Sequence, residues 1–132
     1  MAEPNSFAVG AAVAAFQKGE AWREELREYL AENKRCVRGF LERQLPEIRV
    51  VPSRATYLLW LDCGSLTEDA GELTSFIRAD SGLYLTEGEE YGACGKQFIR
   101  LNPACPRARL REGLERLKTS IENWKGAVRK TQ

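Results

Sequence analysis

One arginine in this sequence stands where it can do chemistry. Arg100 lies in the run Gln97-Phe98-Ile99-Arg100-Leu101, which reads as a strand, and a stretch holding Gly88, Gly92 and Gly95 precedes it. Its guanidinium is a permanently charged, planar fork of N–H donors, suited to grip both oxygens of a carboxylate. On the residues alone, a solvated arginine on an edge strand is the ordinary reading of such a position. The glycines would let the backbone approach a ligand or take positive φ. They do not make a phosphate loop, because G-x-x-x-x-G-K-[ST] is absent and the stretch leads into a strand instead of a helix. Tyr91, inside that stretch, stands equally well as a substrate contact or as a staple of the loop. Asn102 is expected to tie down the turn after the strand, since Asn readily bonds nearby backbone.

The other reactive side chains offer less. Cys36, Cys63, Cys94 and Cys105 include no C-x-x-C pair, and the chain has no histidine. That argues against zinc, whose finger and ribbon ligands come as close pairs, and against a cysteine nucleophile paired with His. A disulfide framework is not expected in a chain long enough to build a core, so ordinary reduced thiols are the expectation. The lysines Lys18, Lys34, Lys96, Lys118, Lys125 and Lys130 fall on predicted helices and a loop, flanked by charges, at positions that read as solvated.

The elements that must position Arg100 follow from hydrophobic periodicity. Residues 6–18 predict a short alanine-rich helix stopped by Gly19. Trp22, Leu26, Leu30, Asn33, Val37 and Leu41 then recur at steps of three and four, predicting an amphipathic helix to about Gln44. Asn33 interrupts its apolar face and is read as lying at the helix edge, because buried Asn is uncommon. Residues 48–51 and 55–61 predict two strands, the second central and covered by helices. A helix over 68–80, a brief strand at 83–85 and a strand at 97–101 come next. Pro106 opens a last helix on which Leu110, Leu114, Leu117, Ile121 and Trp124 share one face. The expected core is Trp22, Leu26, Leu30, Tyr57, Leu59, Trp60, Phe76, Phe98, Leu110, Leu114 and Leu117. This order predicts an α+β fold with helices packed on one side of a small, largely antiparallel sheet of three to four strands.

At 132 residues the chain fits a single domain, 1–132. Its 43% hydrophobic and 30% charged residues are those of a folded globular protein. With 20 Lys and Arg against 19 Asp and Glu, no global field draws it to nucleic acid or an anionic membrane. The apolar stretches fall well short of the roughly 20 residues of a transmembrane helix. The N-terminus shows neither a basic nor an apolar signal region, and a cytoplasmic location is expected.

Three segments carry a family resemblance. Residues 82–107, with Tyr91-Gly92, Gly95, Phe98-x-Arg100-x-Asn102 and Ala104-Cys105-Pro106-Arg107, resemble a motif of the C-S β-lyases, as do Ala55-Thr56-Tyr57-Leu58-x-Trp60-x-Asp62 and the Trp22 to Asn33 helix. The chain is thereby similar to the C-terminal small domain of fold-type I pyridoxal-phosphate enzymes of the aminotransferase class I/II superfamily. Glu87 departs from the pattern, since many relatives have proline there. The resemblance implies that Arg100 holds the substrate's α-carboxylate, with Tyr91 and Gly92 as possible substrate-loop residues and no catalytic, cofactor-binding or metal-binding residue in this chain. It implies pyridoxal phosphate in the full-length enzyme, none bound to this fragment, a missing large domain in the same chain and a homodimer. The implied activity is α,β-elimination from cystathionine or cysteine S-conjugates to thiol, pyruvate and ammonia, with the fragment inactive alone for want of a Schiff-base lysine. An aminotransferase of the same superfamily shares the carboxylate clamp, and a freestanding α+β protein-interaction module is the reading from another class.

Overall fold

The computed structural model describes the backbone of residues 5–131 and the side chains of residues 5–129. The absence of a signal region in residues 1–4 and the solvation of the Lys130 side chain therefore fall outside the described residues. Four helices and four strands are formed: α1 (Ser6–Lys18), α2 (Glu20–Gln44), β1 (Arg49–Val50), β2 (Leu59–Asp62), α3 (Ala70–Ser81), β3 (Thr86–Glu87), β4 (Phe98–Leu101) and α4 (Arg107–Thr131). The sheet has the order β1-β2-β4-β3, and every pairing is antiparallel.

Strand alternation decides which side chains face the helices. Leu59, Leu61, Ile99 and Leu101 are buried and face one another across the β2–β4 pairing. Val37 and Leu41 of α2, Leu73 and Ile77 of α3, and Leu110, Leu114, Leu117 and Ile121 of α4 complete that core. The opposite face carries Trp60, Asp62, Phe98 and Arg100, all part-buried, and no helix of the core covers it.

The helix ends follow local chemistry. Asp69 caps α3 by accepting from Gly71 N and Glu72 N at 2.9 and 3.3 Å, and Gly82 closes it with φ 69, the left-handed conformation glycine takes without penalty. The α1–α2 junction turns at Gly19, whose N–H bonds Ala15 O at 3.0 Å while its own carbonyl accepts from Arg23 at 2.9 Å.

Several sequence expectations are corrected. The strand expected over 55–61 begins at Leu59, because Thr56 takes φ 60 and breaks the extended run. The brief strand at 83–85 is displaced to Thr86–Glu87, since Leu83 and Leu85 pack against the core. Pro106 lies just before α4 instead of within its first turn. Of the expected core, Trp22 is 68% exposed, Leu26 and Tyr57 are also exposed, and Leu30, Trp60, Phe76 and Phe98 are part-buried. The apolar stripe of α2 is covered only along its C-terminal half, and α1, with Phe7 87% and Phe16 92% exposed, has no buried residue at all.

Candidate functional site

Arg100 sits on β4 with Trp60 of β2 and Thr86 of β3 as its cross-strand partners, so the three side chains share the open face of the sheet. Its Nη2 donates to Thr86 Oγ1 at 3.3 Å, and its guanidinium carbon lies 4.8 Å from the centroid of the Tyr91 ring. Among the described residues no carboxylate lies within ion-pair distance of it. A part-buried guanidinium with an aromatic neighbour and no internal counter-ion retains N–H donors for an external anion.

The glycine stretch folds as two short 3₁₀ turns, Gly88–Tyr91 and Ala93–Gly95, that pack back to back above the sheet. Gly88 and Gly95 approach so closely that a Cβ on either would collide with the other's carbonyl, and a Cβ on Gly88 would lie 2.7 Å from Trp60 Cζ3. Gly92 joins the turns at φ 124, which disfavours any side chain. This geometry carries Tyr91 over the sheet, where its ring stands edge-on to Trp60 at 5.7 Å. The expected site residues Arg100, Tyr91 and Gly92 are thus brought together.

Behind the strand lies a clamp that the sequence reading missed. Asn33, read as a helix-edge residue, is fully buried. Its Nδ2 donates to the carbonyls of Pro103 and Cys105 at 2.9 and 3.0 Å, and its Oδ1 accepts from Arg107 Nε at 2.5 Å. Tyr29 Oη accepts from Arg107 N at 2.8 Å, and Glu32 receives Arg107 Nη2 at 2.9 Å. The hydrogen bond and charge of Arg107 hold the Glu32 carboxyl below its ordinary pKa. Residues 29, 32 and 33 share one helix face by spacing, so a polar residue on the apolar stripe of α2 was the available signal. Asn102 Oδ1 accepts from Ala104 N at 2.9 Å, pinning the turn in between.

The cysteines and lysines fall elsewhere. Cys63 is buried, and burial pushes its thiol up to about 12, whereas Cys94 is exposed. Lys34 Nζ donates to Thr56 O at 3.1 Å, Lys96 lies 3.6 Å from Asp69, and Lys125 pairs with Glu47. Among the described residues, none of the paired strand positions is a lysine. Among the described residues no cluster of metal-ligating side chains occurs, and no helix is long and apolar enough to cross a membrane.

No family model matches the chain. It is 36% identical over 117 residues to cystathionine β-lyase PatB of Bacillus subtilis, covering 89% of this chain and 30% of that protein. A solved pyridoxal-phosphate-bound putative aminotransferase of Clostridium difficile superposes with a TM-score of 0.86 and 33% identity, over 92% of this chain and 31% of that one. Cystalysin of Treponema denticola, solved with pyridoxal 5′-phosphate, does so with a TM-score of 0.85 and 27% identity, over 90% and 30%. The chain therefore spans about 30% of the length of the relatives it matches.

Proposed function

From its homology to the cystathionine β-lyases, we propose that this chain is the C-terminal small domain of a pyridoxal-phosphate-dependent C-S β-lyase, and that residues 1–132 form that single domain. The observation that carries the reading is Arg100, part-buried beside Tyr91 with no internal carboxylate, on a sheet face that the core helices leave open.

In this reading Arg100 grips both oxygens of the substrate's α-carboxylate and so fixes the orientation of the Cα–H bond. Thr86 and the Tyr91 ring hold the guanidinium against the sheet, and Gly92 lets the loop place that ring. Pyridoxal phosphate, when bound, supplies the electron sink for the carbanion at Cα. The overall elimination would break the Cα–H and Cβ–S bonds and consume one water, the sulfur leaving as thiolate that takes up a proton, with pyruvate and ammonia as the other products.

That the chain spans about 30% of the length of its relatives supports placing the cofactor's lysine, its pyridinium partner and its phosphate cradle in a large domain of the same polypeptide. That division would leave the fragment inactive alone. The exposed apolar face of α1 and of the first turns of α2 is suited to pack on such a domain. We place the parent in the cytoplasm as a homodimer. An aminotransferase is the second reading, favoured by the putative aminotransferase among the solved structures.

The test is made on the full-length protein, assayed for pyruvate and thiol release from cystathionine. Replacing Arg100 with alanine should lower kcat/KM by about ten- to a hundred-fold, the size of a lost charge-assisted pair. Lysine should restore only part, because a point charge lacks the planar fork. Unchanged activity in Arg100→Ala, or amino-group transfer to a keto acid without thiol release, overturns the lyase reading.

A further inference from the structure

The turn that leaves β4 is held from across the fold by one buried amide, which in turn meets one arginine at the start of α4. We infer that Asn33 and Arg107 are positioning residues for Arg100: they fix the exit of β4 and so hold the carboxylate-gripping guanidinium in its aim. The inference rests on the reading of Arg100 as the carboxylate clamp and adds to it the residues on which that clamp depends.

The ladder around Arg100 is two-sided only up to that residue. Thr86 with Arg100 is the last pairing between β3 and β4, and beyond it Leu101 pairs with Leu59 of β2 alone. The entry of the strand is tied by Cys63 N, which donates to Gln97 O at 3.0 Å. Its exit is tied by Asn33, whose first acceptor, the carbonyl of Pro103, lies three residues past Arg100. Strand ends held by few bonds are the first to open. The Arg100 side chain adds little restraint of its own, with one hydrogen bond of 3.3 Å to Thr86 and the Tyr91 ring centroid at 4.8 Å. Its aim is therefore set by its backbone.

The residue types fit this task. A primary amide carries two N–H donors and a carbonyl acceptor, and Asn33 uses both kinds, donating to Pro103 O and Cys105 O while accepting from Arg107 Nε. Because Asn33 is fully buried, no solvent replaces a partner it loses. Arg107 is itself held at three further points: its N–H by Tyr29 Oη, its Nη2 by Glu32, and its guanidinium carbon 5.2 Å from the Tyr29 ring centroid. The middle of α2, the exit of β4 and the start of α4 thus form one hydrogen-bonded corner.

A double-mutant cycle in the full-length enzyme tests this, reading kcat/KM for thiol release from cystathionine at a temperature where circular dichroism shows every variant folded. The variants are Asn33→Ala, Arg107→Lys and Arg100→Ala, with each of the first two also combined with Arg100→Ala. Asn33→Ala should lower kcat/KM about ten-fold while Arg100 is present, as a small misplacement of a binding group does, and by less than about two-fold once Arg100 is alanine. Arg107→Lys keeps a cation facing Glu32 but lacks the Nε–H that meets Asn33, so it should show the same pattern more weakly. It leaves the buried amide in place and reads out even where Asn33→Ala folds poorly. Ile121→Ala, a buried change farther along α4, controls for lost stability and should leave kcat/KM near that of the wild type. No loss from Asn33→Ala and Arg107→Lys, losses that persist undiminished in the Arg100→Ala background, or an equal loss in Ile121→Ala each overturn the positioning role while the carboxylate clamp stands. If Arg100→Ala alone leaves activity intact, the clamp falls and the positioning role falls with it.

Discussion

Arg107 Nε donates to Asn33 Oδ1 at 2.5 Å, joining two residues 74 positions apart, while the same amide's Nδ2 holds the carbonyls of Pro103 and Cys105. One buried side chain thereby fixes where the chain leaves β4 and where α4 begins. Because β4 carries Arg100, the clamp also sets the anchorage of the candidate site. Replacing Asn33 with alanine would take its donor from the Cys105 carbonyl and its acceptor from the Arg107 Nε–H, and would leave the Pro103 carbonyl only its bond from Cys105 N. The expected cost is about 2 to 4 kcal/mol, from unsatisfied buried groups at roughly 1 to 3 kcal/mol each. Urea unfolding followed by tryptophan fluorescence measures it, and a loss under about 0.5 kcal/mol would place Asn33 in solvent after all.

Leu114 is the central leucine of the α4 stripe and is 2% exposed. Leu114→Ala should cost about 2 to 5 kcal/mol by cavity formation. The same substitution at Leu26, which is 37% exposed, should cost clearly less in the isolated chain. Equal losses at the two positions would contradict the way α2 and α4 are buried.

The two best-separated thiols should differ in reactivity. Cys94 is exposed, whereas Cys63 is buried with its thiol pushed up to about 12 by burial first and by the Asp62 charge second. At pH 8 an alkylating reagent should modify Cys94 promptly in the native protein and Cys63 only after denaturation, as mass spectrometry of timed samples would show. A raised folded value also means that this group's contribution to stability is intact below its ordinary value near 9 and is lost as pH rises from there toward 12.

Two carboxylates give the opposite dependence. Glu32 is held below its ordinary value by its hydrogen bond to Arg107, and Glu47 by its bond to Lys125 and then by backbone. A carboxylate lowered in the folded state adds stability above its unfolded value, near 4.5, and loses that contribution as pH falls through the folded value. Glu47→Gln should therefore be less stable than wild type at pH 7, with the gap closing as pH drops below 4.5. A gap that widens in acid would mean the pair opposes folding.

What the sequence by itself determined is the part governed by local rules. The stop at Gly19, the strand around Arg100 and the leucine stripe of α4 each follow from residues within a few positions, whereas the helix expected from residue 68 begins only after Asp69, which caps it. Arg100, Tyr91 and Gly92 are singled out by the motif that contains them, while their grouping depends on the β2–β4 and β3–β4 pairings as well as on the turns over 88–95. Tertiary structure decided the rest. Periodicity marks an apolar stripe on α2 but not how far neighbours cover it, so Trp22 and Leu26 fall outside the core. Alternation divides β2 and β4 into two faces, but only the placement of the helices makes the Leu59–Leu61 face the core and leaves Trp60, Phe98 and Arg100 open. Asn33 is the sharpest case: a polar residue on an apolar stripe reads as an edge until residues 103–107 arrive from across the fold to satisfy all three of its bonds.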